Sequence, residues 1–293
     1  IKVGPFEVEA IGVNHSIPEP MSLVIRTPLG NIVHTGDWKI DADPSLGPLT
    51  DEARFRAVGE EGVLAMMCDS TNVFSPPPGR SEASLAEPLT ELIKGAGGMV
   101  VATTFASNVA RLKTLAEAAR AADRSICILG RAMKRMVSVA EETRVLTGFP
   151  RVISPEEALE IPRRNLMLIV TGSQGERRAA TAQLSRGKYL GMELKKGDLF
   201  LFSSKTIPGN EREVLKIVNN FSEMGVDVMD DGGGRYHVSG HANRPDLEQV
   251  HRLLLPDMLI PMHGEHRHLR EHARIGAEAG IATAVVTNGM IVD

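Results

Sequence analysis

Several of the nine histidines in this 293-residue chain follow predicted strands and stand near carboxylates. His15 comes just after an apolar segment, Asp37 ends the segment HTGD, and His263 follows the apolar run LIPM. Imidazole and carboxylate groups presented from several strand ends can hold a divalent metal ion on rigid elements. Each residue taken singly could equally be a polar loop residue whose hydrogen bonds are satisfied within the protein. The spacing alone therefore leaves a metal site and a structural role open.

Two loops carry groups that could bind anions. Residues 171–176, TGSQGE, follow an apolar strand and precede a helix predicted to begin near Arg177, where backbone N–H groups and small residues would form an anion pocket. Many strand-to-helix turns look like this one and bind nothing. Residues 237–241, HVSGH, offer two imidazoles and a hydroxyl from one loop, which is an unusual density for a structural turn and indicates function.

The segment 268–272, HLREH, is a competing metal motif. It matches the H-x-x-E-H pattern, which places two imidazoles four residues apart on one helical face beside a carboxylate. Arg267, Arg270 and Arg274 surround it, and clustered cations disfavour a bound dication. We therefore interpret 268–272 as a solvated helix face.

The elements that must position these groups fall into two parts. Residues 1–75 are rich in predicted strands, and a buried strand over 63–68 delivers Asp69 at its end. The segment 75–79, SPPPG, continues neither a strand nor a helix and marks a domain boundary. Beyond it strands and helices alternate, which predicts a mostly parallel sheet covered by helices, with ligands at the carboxyl ends of its strands. The predicted strands are 6–13, 22–27, 31–35, 63–68, 99–104, 125–129, 166–170, 199–202, 258–262 and 284–286, and the predicted helices are 84–94, 108–122, 133–146 and 267–278.

Composition limits the classes of protein that remain. At roughly 150 residues per domain, 293 residues are consistent with two domains. The net charge of −4 excludes a generally basic nucleic-acid binder, although a local basic groove is compatible with it. Aromatic residues make up 4% of the chain, too few for a broad base-stacking platform, so any bound nucleic acid would be held mainly through its phosphates.

No apolar run approaches the roughly 18 residues that a membrane-spanning helix needs. The two cysteines, Cys68 and Cys127, are too few for a disulfide framework in a chain of this length. We therefore expect no membrane contact and a reducing compartment, the cytoplasm.

Eight motifs follow one another along nearly the whole chain, at 14–19, 34–37, 69–72, 103–108, 171–176, 204–211, 237–242 and 261–265. Together and in this order they resemble the ribonuclease J family, the bacterial branch of the metallo-β-lactamase and β-CASP nucleases. The resemblance implies an α/β fold in which a partial αββα metallo-β-lactamase core is interrupted by an α/β β-CASP domain with a mostly parallel sheet. The core would comprise 1–75 and 236–293, the β-CASP domain 76–235, and the active site would lie in the cleft between them.

The resemblance also implies roles for individual residues. His15, Asp37 and His263 would be metal ligands, with Asp37 bridging two divalent ions that would be zinc, or alternatively manganese or magnesium. The catalytic residues would be Asp37, Asp69 and His241, with His241 protonating the leaving 3′ oxygen and Asp69 orienting it. A metal-bound hydroxide would attack the phosphorus.

The implied function is a metal-dependent ribonuclease of RNA processing and decay. It would degrade RNA from the 5′ end towards the 3′ end, would also cut internally, and would leave 5′-phosphate products. His237, Ser239, Gly172 and Ser173 would hold RNA phosphates. The expected partners are RNA and further copies of the chain in a homodimer or homotetramer.

Two departures from the family pattern qualify these expectations. The family's His-x-His-x-Asp-His motif, which supplies most of the first metal site, is absent from the printed sequence. The family's C-terminal domain is absent as well, so we expect the chain to be part of a longer protein. A non-catalytic RNA-binding or assembly subunit is the alternative function. A small-molecule metallohydrolase is a third hypothesis, although it would have no use for the loops 171–176 and 237–241.

Overall fold

The computed structural model describes residues 1–231 and 233–292. Contacts divide the chain into two compact units. Unit 1 comprises Ile1–His15, Glu19–Arg80 and Ser239–Asp293, and unit 2 comprises Ser16–Pro18 and Ser81–Val238. The units change over at Arg80 and Val238, whereas the domain boundaries proposed from the sequence lie near residues 75 and 235.

The described residues form strands and helices in the following chain order. The strands are β1 (Lys2–Val3), β2 (Phe6–Gly12), β3 (Met21–Thr27), β4 (Gly30–His34), β5 (Ala65–Asp69), β6 (Val100–Thr103), β7 (Ser125–Leu129), β8 (Val152–Ile153), β9 (Leu166–Val170), β10 (Leu199–Phe202), β11 (Asp227–Met229), β12 (Met258–Met262) and β13 (Ala282–Thr283). The helices are α1 (Glu52–Glu61), α2 (Ala86–Gly95), α3 (Val109–Ala121), α4 (Arg131–Glu142), α5 (Pro155–Glu160), α6 (Ala180–Leu184), α7 (Glu211–Glu223), α8 (Arg244–Leu254) and α9 (His266–Glu278).

Unit 1 is built on a mixed sheet in the order β1-β2-β3-β4-β5-β12-β13. The strands β1 to β4 pair antiparallel, and β4, β5, β12 and β13 pair parallel. Buried apolar side chains such as Met66 of β5 and Phe55 of α1 form its core. Because β4, β5 and β12 are adjacent and parallel, their carboxyl ends lie at one edge of the sheet, and the loops that follow them can share a site there.

Unit 2 contains a second sheet, in the order β11-β10-β6-β9-β7-β8, and every pairing in it is parallel. This confirms the mostly parallel sheet predicted from the alternating strands and helices. All five residues of β9 are buried, as expected for a strand with both faces covered. The loop 171–176 leaves the carboxyl end of β9, and Ser203 follows β10 at the same edge of the sheet.

Three local predictions were wrong. The helix expected near Arg177 begins at Ala180 and has only five residues, because Thr181 N donates to Thr171 O and ties the helix start to the end of β9. The last strand lies at Ala282–Thr283 rather than 284–286. Helices α1, α5, α7 and α8 were missed, although Asn243 and Asp246 form a capping box that marks the start of α8. No helix in the described part of the chain is long and apolar enough to cross a membrane.

The segment 268–272 is not a solvated face throughout. His272 is fully buried, with Nδ1 2.8 Å from Ser70 Oγ and Nε2 3.1 Å from His251 Nε2. His268 instead uses Nδ1 to accept a hydrogen bond from Glu265 N at 2.9 Å. The two imidazoles of the H-x-x-E-H match therefore have separate structural partners, and the interpretation as a solvated face was wrong for His272.

The buried pair His251 and His272 predicts acid sensitivity of unit 1. Burial lowers the pKa of His251 to about 4 and that of His272 to about 3, below the value of about 6.5 for an exposed imidazole. Below pH 6.5 the unfolded chain then binds more protons than the folded one. The free energy of unfolding has its full value above about pH 6.5. It decreases by up to about 1.4 kcal/mol per pH unit for each imidazole as the pH falls towards the pKa values of the folded protein.

Denaturant titrations between pH 7 and pH 5 measure this loss. His251→Gln removes one titrating group, so its unfolding free energy should depend less steeply on pH than that of the wild type. His266→Gln, at an exposed position on the same helix as His272, is the matched control and should keep the wild-type slope. Equal slopes for wild type and His251→Gln would show that the pair does not set the acid sensitivity.

Candidate functional site

Unit 1 gathers five potential metal ligands. Two overlapping groups of ligand atoms lie within 4.8 Å of one another: His15, Asp37 and His241 form one, and Asp37, Asp69 and His263 form the other. Asp37 follows β4, Asp69 ends β5, and His263 follows β12. The parallel pairing of these three strands therefore explains why the side chains converge.

His15 has one ring nitrogen oriented by the backbone and the other left for a ligand. Its Nδ1 lies 2.8 Å from Gly240 O, so Nδ1–H donates to this carbonyl and Nε2 carries a lone pair. Nε2 lies 3.6 Å from Asp37 Oδ2. Burial lowers the pKa of His15, which keeps the imidazole neutral. A carbonyl that fixes the tautomer of a ligating histidine is the usual outer-shell arrangement in metal sites.

The gap between His15 Nε2 and Asp37 Oδ2 fits a metal ion. Both atoms are acceptors, so neither can donate a hydrogen bond to the other across their 3.6 Å separation. Two ligand atoms of a tetrahedral zinc ion, each roughly 2.1 Å from it, are about 3.4 Å apart. Three imidazoles with two carboxylates are also the nitrogen and oxygen set that suits zinc and manganese. The residues present therefore fit a divalent ion.

Asp37 occupies the position shared by both groups. Its Oδ1 lies 2.9 Å from His263 Nδ1, while Oδ2 faces His15. The hydrogen bond from His263 lowers the pKa of Asp37, and the same bond raises the pKa of His263 to about 10. The lowered pKa keeps the carboxylate ionised, and because 41% of the side chain is exposed it is accessible to a solute.

Asp69 and His241 form a hydrogen-bonded dyad. Asp69 Oδ2 lies 2.7 Å from His241 Nδ1, and Oδ1 accepts from Thr71 N at 2.9 Å and from Thr71 Oγ1 at 2.7 Å. The carboxylate is 1% exposed. Burial opposes the charged form of His241, but the hydrogen bond to Asp69 and the negative charges of Asp69 and Asp37 together outweigh it and raise the pKa of the imidazole. Nδ1–H is thereby committed to Asp69, and Nε2 is the nitrogen available for chemistry.

His263 adopts an unusual backbone conformation for a histidine. Its φ is +63°, in the left-handed region, and Gly264 follows with φ +82°. A non-glycine residue held there costs of order 1 kcal/mol or more, and such strain clusters at functional sites. The conformation turns the chain sharply at the end of β12, where the imidazole contacts Asp37.

The predicted phosphate-binding loop of unit 2 has a glycine that its geometry requires. Gly172 has φ +112°, and a Cβ there would lie 2.7 Å from Ala179 Cβ. Gly172 and Ser173 are buried, and among the described residues their N–H groups donate to no protein acceptor. Buried N–H groups are almost always paired, so this pair is a candidate for binding an anion. The short α6 does not contribute, since it begins eight residues after Gly172.

The segment 237–241 is divided between the units. In unit 2, His237 Nδ1 lies 3.1 Å from Arg111 Nη1. In unit 1, Ser239 Oγ accepts from His241 N at 3.2 Å, which leaves the Ser239 hydroxyl free to donate. Sequence reasoning missed the partners Gly240, Thr71 and Arg111. Only Thr71 left a signal, since an Asp followed two residues later by Thr is typical of an Asx turn.

Two family models match the chain. Residues 97–221 match the model described as "Ribonuclease J, beta-CASP domain", and residues 235–286 match the model described as "Zn-dependent metallo-hydrolase RNA specificity domain". Together with the two sheets and the ligand groups, these matches define the class: an α/β protein with a β-CASP domain and metal-dependent hydrolase segments.

Curated relatives narrow this class to one family. The chain is 50% identical over 281 residues to ribonuclease J of Sinorhizobium meliloti, covering 96% of this chain and 50% of that protein. It is 37% identical over 295 residues to ribonuclease J of Corynebacterium glutamicum, covering 99% of this chain and 41% of that protein. The chain belongs to the ribonuclease J family, as the eight motifs suggested. It spans about half the length of the curated relatives it matches.

A solved structure shares the fold. The crystal structure of a protein of unknown function from Enterococcus faecalis V583 matches with a TM-score of 0.64 at 16% identity, covering 99% of this chain and 64% of that one. At this identity the likeness describes the fold alone.

Proposed function

We propose that the protein is a metal-dependent ribonuclease of RNA processing and decay. It hydrolyses phosphodiesters to leave a 5′-phosphate and a 3′-hydroxyl, from the 5′ end towards the 3′ end and also at internal positions. The observation that carries the proposal is Asp37, whose two carboxylate oxygens face His15 and His263 and which belongs to both ligand groups. The relatives named ribonuclease J support RNA as the substrate.

His15, Asp37 and His263 are the proposed ligands of two divalent ions, zinc or alternatively manganese or magnesium, with Asp37 shared. When bound, such ions lower the pKa of water towards neutrality and stabilise the charge that develops on the phosphate. The protein's contribution is to hold the ligands on three strand ends and to fix the tautomer of His15 through Gly240 O.

His241 is the proposed general acid. Asp69 holds the imidazole through Nδ1 and stabilises its charged form, so a proton on Nε2 can pass to the 3′ oxygen as the phosphorus–oxygen bond breaks. The role of Asp69 is orientation and charge stabilisation, comparable to the carboxylate behind the histidine of a hydrolase triad.

The proposed phosphate contacts are Gly172, Ser173, His237 and Ser239. The unpaired N–H groups of Gly172 and Ser173 suit a phosphate oxygen. Such contacts position the RNA backbone without reading its bases, so we expect weak sequence preference. They also reconcile an RNA substrate with a net charge of −4, since amides and hydroxyls replace a basic surface.

Metal removal and product analysis test this function in the intact protein. Chelation should abolish cleavage of 5′-monophosphorylated RNA, zinc or manganese should restore it, and the products should carry 5′-phosphates. RNA binding without cleavage under every metal condition would contradict the proposal and favour the non-catalytic RNA-binding or assembly subunit. Turnover of a lactam or thioester with no action on RNA would instead favour a small-molecule metallohydrolase.

We also propose that the protein is a cytoplasmic homodimer or homotetramer. The support is the family resemblance for the oligomer and the two buried free cysteines, Cys68 and Cys127, for a reducing compartment. Light scattering on the intact protein measures the oligomeric state directly.

A further inference from the structure

Ser70 is a buried residue that joins two strand ends of the candidate site to helix α9. It directly follows Asp69, the last residue of β5, and it is 0% exposed. Its N–H donates to the carbonyl oxygen of Met262, the last residue of β12, at 2.8 Å. Its Oγ lies 2.8 Å from Nδ1 of His272, in the middle of α9. One residue thus contacts the chain on both sides of the turn that carries His263.

His272 has a partner at each of its ring nitrogens. Nδ1 faces Ser70 Oγ, and Nε2 lies 3.1 Å from His251 Nε2. Burial lowers the pKa of His272 to about 3, so the ring is neutral near pH 7 and carries a single proton. Buried polar atoms need hydrogen-bond partners, and the ring cannot turn without losing both of these contacts. His272 therefore holds the Ser70 hydroxyl in one place.

The turn between β12 and α9 is short and strained. It comprises residues 263–265, because β12 ends at Met262 and α9 begins at His266. The left-handed φ of His263 persists only where the surrounding structure fixes it. Ser70 fixes the strand end through its amide and the helix through its hydroxyl. These two contacts set the ends between which the turn must bend.

We propose that His272 is a positioning residue for the metal site: through Ser70 it holds the turn that carries His263 in the geometry that binds the ion. This inference rests on the proposed function, because it takes the ligand role of His263 from there. His263 Nδ1 lies 2.9 Å from Asp37 Oδ1 and 3.7 Å from Asp69 Oδ1. A small displacement of the turn would therefore separate groups that must converge on one ion.

Two substitutions of His272 distinguish positioning from a merely structural role. Asparagine places its amide at the position of Nδ1 and can keep the bond to Ser70. Glutamine places its amide near the position of Nε2 and can keep only the contact with His251. Glutamine is the better helix former and leaves the smaller cavity, so a structural role would make His272→Asn the more damaging variant. Positioning reverses this order for metal binding.

Zinc binding to the intact, metal-free protein, measured by competition with a chelator, gives the first readout. His272→Gln should weaken zinc binding about 10-fold or more, as changes to outer-shell residues typically do, whereas His272→Asn should bind zinc nearly as tightly as the wild type. Ser70→Ala removes the same bond from its other end and should match His272→Gln. The double variant of Ser70→Ala and His272→Gln should be no weaker than either single variant, because both remove one bond.

Hydrogen exchange of the metal-free intact protein gives a second readout that needs neither metal nor activity. The Ser70 amide is bonded to Met262 O, and the Glu265 amide is bonded to His268 Nδ1, so peptides that cover residues 70 and 265 report opening of the turn. Both peptides should exchange about 10-fold faster in His272→Gln than in the wild type. A peptide that covers β9 in unit 2 should keep its wild-type rate.

The matched control is Ile275→Ala. Ile275 lies one turn after His272 on α9, is buried and packs in the core of unit 1. This variant loosens the packing of α9 without removing the bond to Ser70, so its zinc affinity should stay at the wild-type value. An equal loss of zinc affinity in Ile275→Ala and His272→Gln, or a greater loss in His272→Asn than in His272→Gln, would overturn the positioning role.

Ser70→Ala decides the outcome if the His272 variants do not fold, because it leaves both imidazoles in place. Unchanged zinc affinity and unchanged exchange of the turn in Ser70→Ala would then overturn the proposal.

The experiment also separates this inference from the proposed function. If Ser70→Ala and His272→Gln bind zinc as the wild type does, and the wild type cleaves RNA in a metal-dependent way, this inference is wrong and the proposed function stands. If the wild type binds no divalent ion and cleaves no RNA, the proposed function is wrong and the metal-positioning role fails with it. The exchange measurement still shows in that case whether His272 holds the turn.

Discussion

Replacing Asp37 with asparagine in the intact protein is expected to abolish metal-dependent RNA cleavage, with a decrease of about 10³-fold or more. The carboxylate faces His15 on one side and His263 on the other, and it is the one residue common to both ligand groups found among the described residues. An amide of nearly the same shape removes the charge and one strong ligand oxygen. Without the ion, several kcal/mol of transition-state stabilisation would be lost, and each 1.4 kcal/mol lowers the rate by a factor of ten.

Metal content distinguishes this explanation from simple destabilisation. Elemental analysis of the Asp37→Asn protein should show loss of bound metal. Its metal affinity should fall by more than the 10- to 100-fold that is typical of changes to outer-shell residues. Its unfolding midpoint without metal should stay close to that of the wild type. Asp43→Asn, an exposed aspartate six residues further along, is the matched control and should keep both metal and activity. Full metal content together with normal cleavage in Asp37→Asn would contradict the proposed site.

The sequence pattern identified Asp37, His15 and His263 as candidate ligands from their residue types and their positions after strands. It did not show that these side chains lie close together. The apolar run before Asp69 predicts a buried strand that ends in a carboxylate, and β5 ends at that residue. The convergence with His263 depends on the parallel pairing of β5 with β12, from a segment almost two hundred residues further along the chain. A local pattern carries no information about such pairing, so only the family resemblance linked these positions.

Partners that orient the functional groups were beyond sequence reasoning for the same reason. The carbonyl of Gly240 contacts His15 across 225 residues of chain, and a backbone oxygen has no residue type to recognise. Arg111 lies on a helix where a charged residue would be assigned to the solvent face, yet Glu82, Ser203 and His237 surround it. His272 was placed on a solvated face because of its charged neighbours, and tertiary contacts with Ser70 and His251 bury it.

The position of His241 is compatible with two roles, that of a metal ligand and that of a general acid. His241 belongs with His15 and Asp37 to one ligand group, yet its Nδ1 is committed to a carboxylate that stabilises the charged imidazole. A ligand must be neutral, whereas a general acid must carry a proton on Nε2. Charge alone does not separate these roles, because the hydrogen bond to Asp37 raises the pKa of the proposed ligand His263 as well. His241 differs in that the buried carboxylate of Asp69 holds its Nδ1 at 2.7 Å, as a carboxylate holds the histidine of a hydrolase triad, so we propose proton transfer as its role.

Replacing His241 with asparagine should therefore lower the cleavage rate about 10²- to 10⁴-fold while bound metal and RNA affinity are retained. Asp69→Asn should give a smaller loss, and the double variant should be no worse than His241→Asn, because both act on the same proton. His266→Asn, at an exposed position, is the matched control.

A substrate that needs no acid separates the two roles of His241. When sulfur replaces the bridging 3′ oxygen at the scissile bond, the leaving thiolate departs without a proton, so a variant that lacks only the acid should cleave this substrate nearly as fast as the wild type. A ligand variant would remain slow, since the ion that stabilises the phosphate would be lost. The result that would contradict this assignment is loss of metal from His241→Asn together with equally slow cleavage of the oxygen and sulfur substrates. His241 would then be a metal ligand and not the general acid.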